Sequence, residues 1–69
     1  MEFQERAKMR IEHWMKHTVD HVKEYSRFAG ELENSGYGDA ASNIREMAEI
    51  TNKCSQYLKN ALLALDDAS

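Results

Sequence analysis

The chain predicts an all-α fold: an antiparallel two-helix hairpin that dimerises into a four-helix bundle. Three observations carry this. Proline is absent and all three glycines fall between positions 30 and 38, so the 69-residue chain has turn chemistry in one region only. Apolar residues on both sides of that region recur at alternating spacings of three and four, the period of a helix face. No stretch shows the strict alternation of a half-buried strand, and there is no internal repeat or low-complexity run.

The first helix is expected over about residues 2–33. Ile11, Thr18, Tyr25 and Leu32 form one row along it, Ala7, Trp14, His21 and Phe28 a second, and Met15, Val22 and Ala29 a third. Three adjacent rows make a broad face, wider than the strip one neighbouring helix covers. Gly30 lies inside this pattern and marks either fraying or close packing near the turn. The turn is "NSGYGD", about residues 34–39, where Gly36 and Gly38 can take positive φ and Asp39 or Ser42 can cap the next helix. Tyr37, set between two glycines, is expected to pack back over the helix ends, with presentation to a partner as the alternative.

The second helix follows over about 39–66. Ala40, Ile44, Met47, Thr51, Cys54, Leu58, Ala61 and Leu65 alternate spacings of four and three without a slip, and Ala41, Ala48 and Leu62 widen this seam. Glu12 with Lys16 and Glu49 with Lys53 are outward pairs one turn apart in the order that favours a helix. A turn near residues 36 and 37 brings positions whose numbers sum to about 73 to one level of an antiparallel pair. His21 then lies near Thr51 and Cys54, Trp14 near Leu58, and Phe28 near Ile44.

A chain of this length, read as one domain over residues 1–69, has a stability problem that is usually solved by disulfides, a structural metal or association. Its single cysteine, Cys54, excludes an internal disulfide. Helices roughly 48 and 42 Å long cannot fit inside a globule only about 28 Å across. A homodimer or higher oligomer would give each broad face a second neighbour, and the alternative is a hairpin that docks on a different protein. The net charge of −3 comes from nine basic and twelve acidic residues that are interspersed, without the basic block that nucleic-acid binding needs. No apolar run approaches a membrane span, and the charged start "MEFQERAKMR" is unlike a signal peptide. These features imply a cytoplasmic chain with neither nucleic acid nor membrane as a partner.

One stretch raises a chemical question. "HWMKHTVDH" puts His13, His17 and His21 at four-residue intervals, with Asp20 beside the last and Glu24 beyond it. Imidazoles at i and i+4 share a helix face and can converge on one ion. The candidate ligands are His17 and His21, with Glu24 as a third donor or, like Asp20, as the acceptor that orients an imidazole; the ion would be zinc, nickel, cobalt or iron. The competing reading makes His21 a hydrogen-bonded residue at the edge of the core and His13 and His17 solvated flanks. No Glu-x-x-His pair exists for a ferritin-like di-iron centre, and no nucleophile is placed for acid–base catalysis, so an enzyme is the least favoured class. Cys54 fits the seam as a small apolar residue, Trp14, Tyr25 and Phe28 fit it as core aromatics, and the methionines form no copper-binding cluster.

Trp14, His17, His21, Tyr25 and Ala29 in "EHWMKHTVDHVKEYSRFA" resemble the opening of a group of short, uncharacterised helical-hairpin proteins of anaerobic bacteria and archaea, whose pattern is Trp-x-x-His-x-x-x-His followed by an aromatic and a small residue. A glycine-containing turn and a second Ala/Leu-rich helix extend the similarity over most of the chain. The resemblance implies a hairpin and no reaction. The functional expectation is therefore a small non-enzymatic, homo-oligomeric module for binding or assembly, with a metal-binding bundle for sensing, storage or delivery as the alternative.

Overall fold

A computed structural model of the chain describes residues 2–67. They form two helices, α1 (Phe3–Asn34) and α2 (Gly38–Asp67), and no strand. Glu2 is extended before α1, and its carbonyl accepts from the Arg6 amide at 3.1 Å. At the other end Ser35 closes α1 and Gly36 follows at φ 91°, the left-handed conformation that only glycine adopts without a steric penalty. The Gly36 amide donates to the Glu33 carbonyl (3.1 Å) and the Tyr37 amide to the Leu32 carbonyl (2.8 Å). This bond pair satisfies carbonyls that the end of a helix leaves without a partner.

The Tyr37 carbonyl in turn accepts from the Ala41 amide at 3.0 Å, so one residue both ends α1 and begins α2. The reversal is thus tighter than the sequence implies. Gly38 is already helical and lacks the positive φ expected of it. Asp39 lies inside the first turn, where its charge faces the positive end of the helix dipole, and not at the cap. Tyr37 is 63% exposed and does not fold back over the helix ends. Gly30 is a plain helical residue; a Cβ there would meet nothing within 4 Å, so neither fraying nor close packing accounts for it.

The helices pack along their whole length into a body of 52 × 17 × 10 Å with a radius of gyration of 15.9 Å. A compact chain of this length would measure about 11 Å. Burial is deepest towards the turn, where Ala29 and Ala41 are fully covered and Ala48 nearly so, the only buried residues among those described. Alanine at these positions lets the two backbones approach. Further along, the α1 rows of Ile11, Thr18, Tyr25 and Leu32 and of Met15, Val22 and Ala29 face α2. Thr18 and Thr51 sit in the seam because each hydroxyl donates to a carbonyl one turn back, that of Trp14 (2.9 Å) and of Met47 (2.8 Å). The open end is tied by Gln4 Nε2 donating to the Leu65 carbonyl at 2.6 Å and by an ion pair between Lys8 and Asp66.

On α2 the seam differs from the expected one by a row. Ile44, Thr51, Leu58 and Leu65 do face α1, but their companions are Ala41, Ala48, Ser55 and Leu62. Ala40, Met47, Cys54 and Ala61 are exposed. A 3–4 pattern allows either flanking row, and the helices settle on the one whose Ala41 and Ala48 permit the closest approach. The same choice leaves Trp14 and Phe28 about half exposed and takes the second α1 row, at Trp14, His21 and Phe28, off the buried face.

Candidate functional site

The histidine stripe lies on α1 outside the seam. His13 points furthest from α2, His17 is next, and His21 is nearest, half-exposed at the edge of the seam and outside the core. The ring centroids of His13 and His17 are 4.3 Å apart and those of His17 and His21 6.2 Å. The His21 ring stacks on Tyr25 at 6.0 Å, and its Nδ1 faces Glu24 Oε2 at 3.8 Å. Two imidazoles on one tetrahedral ion hold their centroids roughly 5 Å apart, given a metal–nitrogen bond of about 2.1 Å. The His17–His21 spacing is longer than that by about 1 Å and the His13–His17 spacing is somewhat shorter. No group of three or more His, Cys, Asp or Glu side chains gathers for a metal among the described residues. Cys54, on the other helix, joins no such group.

The two long sides of the hairpin have opposite chemistry. One is formed by Glu12, Val19, Ser26 and Glu33 of α1 with Arg45, Asn52 and Lys59 of α2. Ser26, Arg45 and Asn52 line one shallow depression there beside Val22 and Ala48, and Arg45 Nη2 meets Glu33 Oε2 at 2.5 Å. With those rows on one side, antiparallel packing puts the opposite flanks of both seams on the other. That other side carries Ala7, Trp14, His21 and Phe28 from α1 and Met47, Cys54 and Ala61 from α2.

On α2 this side continues outward through Ile50, Tyr57 and Ala64, exposed by 59% and 76% at Ile50 and Tyr57. Together Met47, Ile50, Cys54, Tyr57, Ala61 and Ala64 repeat at three and four, a second seam of the same period as the first. Reading the sequence for one buried face per helix merges this stripe with the true seam. The signal was present in the apolar row at 50, 57 and 64, which no hairpin seam accounts for.

Among the described residues no helix is long and apolar enough to cross a membrane. The family described as a domain of unknown function, DUF8180, matches residues 7–65, which includes the whole histidine stripe, the turn and nearly all of α2. The chain belongs to that family. No curated protein and no solved structure matches it.

Proposed function

We propose that this member of the DUF8180 family is a non-enzymatic assembly module whose partner is a second copy of itself, the two hairpins joining through their apolar sides as an antiparallel four-helix bundle. The second seam on α2 carries the reading. It is exposed, it runs most of the length of the helix, and its period is the one that receives another helix. A second copy supplies a stripe of equal length and identical spacing.

The surface area points the same way. The hairpin exposes 5448 Å², whereas a compact monomer of this mass would expose about 4,450 Å². The excess of about 1,000 Å² compares with the roughly 800 Å² per partner that a stable interface covers. Three buried alanines cannot by themselves offset the ordering cost of about 1.5 kcal/mol per residue.

Light scattering tests the proposal directly: the mass in solution is expected to be twice that of the chain at micromolar concentration. A fully helical, cooperatively melting monomer at that concentration overturns it.

A further inference from the structure

We propose that two copies complete a zinc-type transition-metal site at their twofold axis, with His17 and His21 of each copy as its four ligands. The inference rests on the self-assembly proposed above and adds the orientation of the copies and the ligand they hold.

The orientation follows from charge. The exposed flank of α1 carries Arg10 near one end and Glu24 and Glu31 near the other. Pairing α1 against its copy in parallel would set like charge against like. Antiparallel pairing sets Arg10 of each copy between Glu24 and Glu31 of the other, which favours that encounter and fixes its register. It also sets the α2 stripes against each other, apolar on apolar. Full overlap of two antiparallel helices places the twofold at the helix midpoint, and for Phe3–Asn34 that midpoint falls between Thr18 and Val19. His17 and His21 bracket it. Of the three histidines these two lie towards the assembling side, whereas His13 points away.

The donor chemistry fits. One hairpin offers two imidazoles a helical turn apart, with ring centroids 6.2 Å from each other, and gathers no third ligand among the described residues, so a tetrahedral site built on this pair needs two donors from elsewhere. The twofold doubles two imidazoles into four, a set suited to zinc and to cobalt, nickel or iron in its place. Glu24 Oε2 stands on the Nδ1 side of His21, 3.8 Å away. There it acts as the carboxylate that orients the ring and leaves Nε2 for the ion.

The test uses the untagged full chain, stripped with a chelator and titrated with Zn²⁺ while mass and heat are followed, with Co²⁺ as a spectroscopic probe. The expected result is one ion per two chains, an intense tetrahedral Co²⁺ spectrum and a zinc-dependent rise in Tm. His17→Ala and His21→Ala each weaken zinc binding more than about 100-fold, Glu24→Gln weakens it about 10- to 100-fold, and His13→Ala leaves it intact. Circular dichroism checks that each variant keeps its helices, and His17→Gln repeats the test with a side chain of similar size.

A dimer that takes up no zinc overturns the metal site and leaves self-assembly standing. One ion per single chain, or a loss at His13→Ala as large as at His17→Ala, overturns the shared site. A folded monomer with and without zinc overturns both.

Discussion

The two long sides of the hairpin stand at the same angle from the seam and are built from rows of the same spacing, yet one is mainly charged and polar and the other mainly apolar. The polar side is complete within one chain: Glu33 and Arg45 pair across it, and Lys8 and Asp66 close it at the open end. The apolar side leaves Trp14 and Phe28 half covered and Ile50 and Tyr57 mostly uncovered. Exposed ion pairs gain little and need no further partner. Uncovered aromatic and aliphatic rows retain most of the transfer free energy that burial would release. In the proposed assembly the solvated side would stay in water, while the apolar side would supply the driving force for association.

Mutations on the two sides should differ accordingly, with the seam as the common reference. Leu58→Asp has the largest effect, because it places a charge without a partner in the row that both helices share. The loss is expected to exceed about 3 kcal/mol, with helicity and oligomer mass falling together in circular dichroism and light scattering. A variant that keeps both would mean that the helices meet through a different face.

Next comes the apolar side. The double variant Ile50→Lys/Tyr57→Lys removes two large side chains from the second seam without touching the first. Roughly 3 kcal/mol of association is lost, more than about 100-fold in affinity, and sedimentation should show a monomer that is helical but easily melted. An unchanged dimer mass would place the interface elsewhere.

The polar side responds weakly to an equivalent change. Arg45→Ala breaks the pair with Glu33 and should cost no more than about 1 kcal/mol in thermal melts, less at high salt, with the oligomer mass unchanged. Dissociation by this variant would reverse the assignment of the two sides.

The smallest effect is on pH. The hydrogen bond from Lys8 to the Asp66 carboxylate raises the Lys8 pKa above its ordinary value, with the charges of Asp66, Glu12 and Glu5 adding to the rise and partial desolvation opposing it. A lysine whose folded pKa is raised contributes stability that is fully present below the unfolded pKa of about 10.4 and fades as pH climbs through the folded value. Melts of the wild type should therefore lose a small increment only in the alkaline range, and Lys8→Met should abolish that increment while leaving neutral-pH assembly intact.

The sequence by itself determined the two helices, the glycine turn and one row of each seam. Helix periodicity and turn chemistry are local: Gly36 is needed where the chain must take positive φ, and Ile44, Thr51, Leu58 and Leu65 belong to every seam that a 3–4 pattern allows. It also placed His17 and His21 on one stretch of α1 and gave the order in which the three histidines turn away from α2. What tertiary structure decided was the partner row on α2. Both Ala40, Met47, Cys54 and Ala61 and their neighbours Ala41, Ala48, Ser55 and Leu62 satisfy the period, differing by one residue around the helix. The choice depends on how closely two backbones can approach, a property of both helices at once, and the buried contacts at Ala29, Ala41 and Ala48 settle it. That rotation of a single row moved Cys54, Trp14 and His21 from the core to the surface. It turned what reads as one wide apolar face into a filled seam and an open one.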